Sequence, residues 1–252
     1  MVARWAHNPK VAGSSPAPAT SQEATASYFY FIMEIVYEDN HIIVVNKAAG
    51  EIVQGDKTGD KPLVELLKEY LKEKYNKPGN VFCGVVHRID RPVSGLVVFA
   101  RTSKALTRLN EMLRKGEIHK TYHALVQGKP KETEGTLENF LISDGRINKT
   151  FISTPENPEA KKSILEYKTL GIGERYSLLE INLLTGRKHQ IRAQLSAIGH
   201  PIKGDLKYGA SRSNPDGGIS LQSHSLSFVH PVSKQPMSFT APPLTAFLPF
   251  LK

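Results

Sequence analysis

Apolar positions along the chain fall in short dense runs separated by polar turns, and only three stretches carry a helical repeat. From residue 33 the run Glu34-Ile35-Val36-Tyr37-Glu38-Asp39 reads as a first strand. Ile42-Ile43-Val44-Val45 is apolar throughout, the mark of a strand covered on both faces, and Asn46-Lys47-Ala48-Ala49-Gly50 reads as the turn after it. Leu96-Val97-Val98-Phe99-Ala100 has the same character. Strands are expected over 120–126, 164–170 and 176–184, with a late hairpin from 226–230 and 237–240. Residues 63–74 form a helix, with Leu63, Leu66, Leu67, Tyr70 and Leu71 on one stripe and Pro78-Gly79 beyond its end. A second helix covers 103–115, with Ser103 as N-cap, Leu106, Leu109 and Leu113 inward, and Gly116 as C-cap. The third is expected over 187–198, where Ile191, Leu195 and Ile198 recur, and Gly199 and Pro201 close it. Residues 128–162 are polar and turn-rich and read as a hairpin excursion. Strands without regularly alternating helices predict an α+β fold: a mixed, largely antiparallel sheet with peripheral helices and loops.

The first residues depart from this pattern. Residues 1–27 are rich in Ala, Ser, Pro and Thr and lack hydrophobic periodicity, and the apolar run 28–32 is too short for a signal peptide core. Met33 is the expected true start. Residues 1–32 are then a disordered extension or translated upstream sequence, since Gly13-Ser14-Ser15-Pro16 back-translates to codons resembling the T arm of a tRNA gene. Composition is that of a globular protein, 40% hydrophobic and 23% charged. Net charge is +9, and +8 without the segment bearing Arg4, Lys10 and Glu23, so an anionic partner such as nucleic acid is favoured. The single cysteine, Cys83, excludes an internal disulfide and a cysteine-based zinc cluster, and its apolar neighbours suit a buried structural thiol. No stretch approaches about eighteen apolar residues, which excludes a transmembrane helix and places the chain in the cytoplasm.

Two runs concentrate the candidate chemistry. In His87-Arg88-Ile89-Asp90-Arg91-Pro92-Val93-Ser94-Gly95 one carboxylate lies between two guanidinium groups, at the lip of a core strand. That suits a site working on a polyanion, or a turn-forming Asp with solvated arginines. In Thr185-Gly186-Arg187-Lys188-His189-Gln190-Ile191-Arg192 cations crowd the expected start of the third helix, where they oppose the macrodipole and point to an anion outside it. Asp90 is the obvious internal anion. Lys120-Thr121-Tyr122-His123-Ala124-Leu125-Val126 places Tyr122 on one face with Ala124 and Val126, as a core residue or as a plane on which a base could stack. In Gly199-His200-Pro201-Ile202-Lys203-Gly204-Asp205-Leu206-Lys207-Tyr208-Gly209, His200 and Asp205 with His189 could be metal ligands, but the surrounding Lys and Arg repel a cation and a structural loop is preferred. No P-loop, dinucleotide fingerprint or hydrolase elbow is present.

Taken together, these runs resemble the RluA-type pseudouridine synthases, whose motifs are His-Arg-Leu-Asp-Arg-x-Thr-Ser-Gly, Lys-x-Tyr-x-Ala-x-Val-x-Gly, Thr-Gly-Arg-x-His-Gln-Ile-Arg and Gly-x-Pro-Ile-x-Gly-Asp-x-x-Tyr-Gly. All four occur here in order, and the resemblance extends from about Met33 to the C-terminus. Ile89, Val93, Ala48 and Gln222 depart from the family pattern without touching the Asp, Tyr and Arg set. The resemblance implies the pseudouridine synthase fold around a central basic cleft, with 33–252 as catalytic domain and no separate S4-type domain. It implies isomerisation of specific uridines in structured RNA, ribosomal or transfer, by base flipping, with no cofactor and no metal. Asp90 would be the catalytic carboxylate, as nucleophile or as base. Tyr122 would stack on the target base and handle protons, and Arg187 would pair with Asp90. Arg88, Lys47, Lys120, His189 and Arg192 would bind RNA, with Arg88 filling the space of the flipped uridine. A monomer without DNA or membrane partners is expected. A non-catalytic RNA-binding protein on the same fold is the alternative, and a nucleotide or phosphoester hydrolase is disfavoured by the missing metal ligands.

Overall fold

The computed structural model describes residues 33–251; the expected extension 1–32 lies outside the described residues. The order is β1 (Glu34–Glu38), β2 (Ile42–Lys47), α1 (Leu63–Lys74), β3 (Gly84–Val85), β4 (Ser94–Ala100), α2 (Ser103–Lys115), β5 (His119–Gln127), β6 (Glu134–Asp144), β7 (Lys149–Ser153), β8 (Lys161–Ile172), β9 (Tyr176–Leu183), α3 (Gln190–Ala197), β10 (Leu221–Val229) and β11 (Pro236–Thr240). The strands form one sheet ordered β1-β2-β4-β10-β5-β9-β8-β6-β7, with β11 on β10 and β3 on β4. Every pairing is antiparallel except β4 with β10. The α+β expectation holds, and residues 128–162 contain the predicted hairpin, β6–β7.

Alternation along the strands divides the core between the two faces of the sheet. Ile43, Val45, Val97, Phe99, Tyr122, Ala124 and Ile181 join Leu63, Leu67 and Leu71 of α1 and Ile191 and Leu195 of α3 on one face. Ile42, Val44, Leu96 and Val98 join Ala105 and Leu109 of α2 on the other. Strands β2 and β4 are therefore covered twice, which is why their sequences are continuously apolar. The helix boundaries correct two expectations. Thr102, not Ser103, caps α2, its side chain accepting from the Ala105 amide at 3.1 Å. Helix α3 begins at Gln190 rather than Arg187, because His189 takes a left-handed conformation with φ +51° that ends any helical path before it.

The parallel pair matches Ser94 with Gln222 and Gly95 with Ser223, and holds the loop carrying Asp90 beside β10. Gly95 has φ +112°, and a Cβ there would fall 2.6 Å from the Ser223 amide nitrogen. Gly95→Ala is expected to lower stability by about 3 kcal/mol, combining backbone strain with collision. For a domain of this size that lowers Tm by about 6–12 °C; a variant melting with its parent would show that β4 and β10 are not in contact here.

Candidate functional site

The loop between β3 and β4 presents Asp90, and the three consecutive carbonyls from Asp90 to Pro92 are tied down. Asp90 O accepts from Val93 N at 3.0 Å, Arg91 O from Gly50 N at 2.8 Å, and Pro92 O from Ile219 N at 2.9 Å. Lys47 Nζ also donates to Arg91 O, at 3.2 Å, and to Ala48 O and Glu51 O at 2.7 and 2.8 Å. Lys47 is 1% exposed. Its expected contact with RNA is therefore corrected: the ammonium is a buried clamp that joins the turn after β2 to the Asp90 loop. Burial pushes it down to about 8, against the pull of Glu51 and Asp90.

The carboxylate side chain is partly exposed and meets Arg192, whose Nη1 donates to Oδ2 at 3.0 Å. The other edge of that guanidinium is bidentate on Asp205, with Nε to Oδ2 at 2.7 Å and Nη2 to Oδ1 at 2.9 Å. Arg192 and Asp205 are both buried, one guanidinium bridges two carboxylates, and those ion pairs hold its proton more firmly than usual against the cost of burial. This corrects the expected pairing of Asp90 with Arg187, and also removes Arg192 from direct contact with RNA. Because α3 starts only at Gln190, Arg187 lies in the exposed loop ahead of it, where Nε donates to Lys162 O at 3.3 Å. Arg192, in the first turn of α3, faces inward. Asp205, weighed from sequence as a metal ligand, is instead committed to Arg192.

His189 is also buried rather than free for phosphate. Its Nδ1 lies 2.8 Å from Tyr208 Oη and its Nε2 lies 3.6 Å from Asp90 Oδ2. Burial is the main cause holding it down to about 4. Lys120 is half-buried and outside the cleft lining. The expected residues that do meet in one cleft are Arg88, Asp90, Tyr122, Arg187, His189 and Arg192. Tyr122 lies on β5 in the apolar face beneath Asp90; burial raises its phenol well above the usual range, a hydrogen bond with Ser223 opposes this and the charge of Asp90 adds to it. Arg88 and Arg187 are exposed at the rim. A wider depression lined by Glu134, Glu166 and Glu180 occurs where β5, β9, β8 and β6 present their other side, and three carboxylates there oppose a polyanion. The cationic cleft is the surface suited to one.

Sequence reasoning missed the parts of Asp205 and Tyr208, although both stood in the Gly204-Asp205-x-x-Tyr208-Gly209 run. A carboxylate and a phenol three residues apart in a Gly-bounded loop that also holds buried Ile202 were the available signal.

Comparison with known proteins places this arrangement among others. Residues 41–197 match the family model described as RNA pseudouridylate synthase. The chain is 33% identical over 219 residues to the ribosomal large subunit pseudouridine synthase D of Zymomonas mobilis, covering 83% of this chain and 68% of that one. It is 33% identical over 228 residues to the tRNA pseudouridine synthase C of Vibrio parahaemolyticus, covering 83% and 89%. The structure of human RNA pseudouridylate synthase domain containing 4 shares the fold, with a TM-score of 0.72 at 20% identity over 89% of this chain and 93% of that one.

Proposed function

Because the chain belongs to the RNA pseudouridylate synthase family and so isomerises uridine to pseudouridine in RNA, we propose that Asp90 is the carboxylate that performs the isomerisation. The observation that carries this is the Asp90 carboxylate held 3.0 Å from Arg192 in the cleft that also contains Tyr122, Arg88 and Arg187. The N1–C1′ bond breaks, the uracil turns, C5 bonds to C1′, and the hydrogen at C5 leaves to solvent as N1 gains one. The reaction is balanced in electrons. Asp90 attacks or deprotonates at the ribose, and Arg192 keeps the carboxylate fixed. Tyr122 lies under the turning base and assists the proton at C5. Arg88 and Arg187 take the phosphates and fill the space of the extruded nucleotide, offsetting an unstacking cost of a few kcal/mol. Binding then weakens as salt rises.

The substrate is structured ribosomal or transfer RNA, by analogy with relatives of both descriptions, and not DNA. Residues 33–252 act as the catalytic domain of a cytoplasmic monomer. Target choice rests on that domain and its β6–β7 hairpin. Chemical mapping of pseudouridine in total RNA, from source cells with and without the protein, is the test. Loss of one or a few sites in those RNAs is expected. An unchanged map would overturn the proposal in favour of a binding protein.

A further inference from the structure

Tyr208 is buried, and its hydroxyl has two close neighbours. Oη accepts from the Thr150 backbone N–H on β7 at 2.8 Å and lies 2.8 Å from Nδ1 of His189. With the Thr150 N–H on one lone pair of the oxygen, a phenolic hydrogen pointing at Nδ1 is the arrangement that uses both the donor of Tyr208 and the acceptor of a neutral His189. An imidazole that accepts at Nδ1 carries its own hydrogen on Nε2. That nitrogen is the one 3.6 Å from Asp90 Oδ2, the same oxygen met by Arg192 at 3.0 Å. Among the described residues no donor meets Oδ1. The groups facing the imidazole are Asp90, Arg192, Lys188, Lys207 and Tyr208; burial reinforced by the three cations outweighs Asp90, so the ring is neutral at pH 7. His189 is moreover held in the left-handed region, a conformation that the surrounding structure must enforce.

We propose that His189 is a positioning residue which presents a neutral Nε2–H to Oδ2 of Asp90, with Tyr208 selecting that tautomer and tying it to the β6–β7 hairpin. The inference rests on Asp90 being the reacting carboxylate. Both donors then restrain Oδ2 and leave Oδ1 to meet the nucleoside. A closing of about 0.7 Å makes the His189 contact an ordinary hydrogen bond, as happens when catalytic groups tighten on a bound substrate.

The tautomer is read directly by nitrogen-15 NMR of the imidazoles in RNA-free protein. In the parent, Nε2 of His189 is expected to be protonated and Nδ1 bare, and Tyr208→Phe should give a mixture of the two forms. A parent with its hydrogen on Nδ1 overturns the proposal whatever Asp90 does. Kinetics supply the second arm. His189→Asn suits the left-handed backbone and places its amide near the Nδ1 position, whereas His189→Gln reaches toward the Nε2 position. The Asn variant is expected to lose about tenfold in kcat at unchanged KM for RNA, and Gln to restore most of it. Equal kcat in both variants and the parent overturns the positioning role. Should Asp90→Asn retain turnover, the assignment of Asp90 fails while the NMR result still reports on the tautomer.

Discussion

Asp90→Asn is expected to abolish release of tritium from RNA carrying 5-tritiated uridine while leaving RNA binding intact. The loss is about 10²–10⁴-fold if the carboxylate moves a proton, and greater if it forms a covalent bond to the ribose. Asn has nearly the same shape and can still accept from Arg192 through its carbonyl oxygen. Arg192 also keeps its bidentate hold on Asp205, so the fold should survive. Arg88 and Arg187, to which we assign the phosphate contacts, line the same cleft and are untouched by the substitution, so binding is expected to be retained. Turnover near the parental rate, measured with RNA binding and melting on the same preparation, would remove Asp90 from the chemistry.

Replacing Arg192 with Ala is expected to cost far more stability than replacing Arg187. Arg192→Ala strands Asp205, which is 1% exposed, and frees Asp90 from its one close cation. Breaking a buried pair by removing one partner costs about 3–5 kcal/mol. That lowers Tm by about 6–20 °C in a domain of this size. Arg187 is exposed, and among the described residues its side chain makes a single hydrogen bond, 3.3 Å to the Lys162 carbonyl, so Arg187→Ala should stay within about 0.5 kcal/mol of the parent. Thermal melting of the two variants side by side decides it. Equal shifts, or a larger one for Arg187, would contradict the ion-pair arrangement.

What was legible from sequence is what a local pattern can carry. Ile42-Ile43-Val44-Val45 and the 96–100 run announced strands buried twice, and the leucine spacing of α1 and α2 announced helices on the sheet. The first half of β10 was missed because Gln222, Ser223, His224 and Ser225 are polar, although buried or half-buried. Two of these side chains find partners far away in the chain: Ser223 Oγ donates to Leu96 O at 3.0 Å and Gln222 Nε2 to Pro242 O at 2.8 Å. No periodicity encodes such partners. The same limit explains the site. Asp90, Tyr122 and an arginine from the 185–192 run were named, but choosing between Arg187 and Arg192 depends on a left-handed residue at 189 that shifts the helix start by three positions. Lys47 looked like a surface cation because lysine usually is one; three carbonyls from two loops make burial affordable here.

The parallel seam between β4 and β10 also bears on how the protein comes to be active. Leu96 and Ser223, which bond across it, are separated by 127 positions in the chain. Loop-closure entropy must be met before such a distant contact stabilises anything, so this seam forms late. During synthesis the segment bearing Asp90 emerges long before the strand that steadies it. A growing polypeptide therefore carries the Asp90 carboxylate without its finished surroundings until residues 221–229 have emerged and paired with β4.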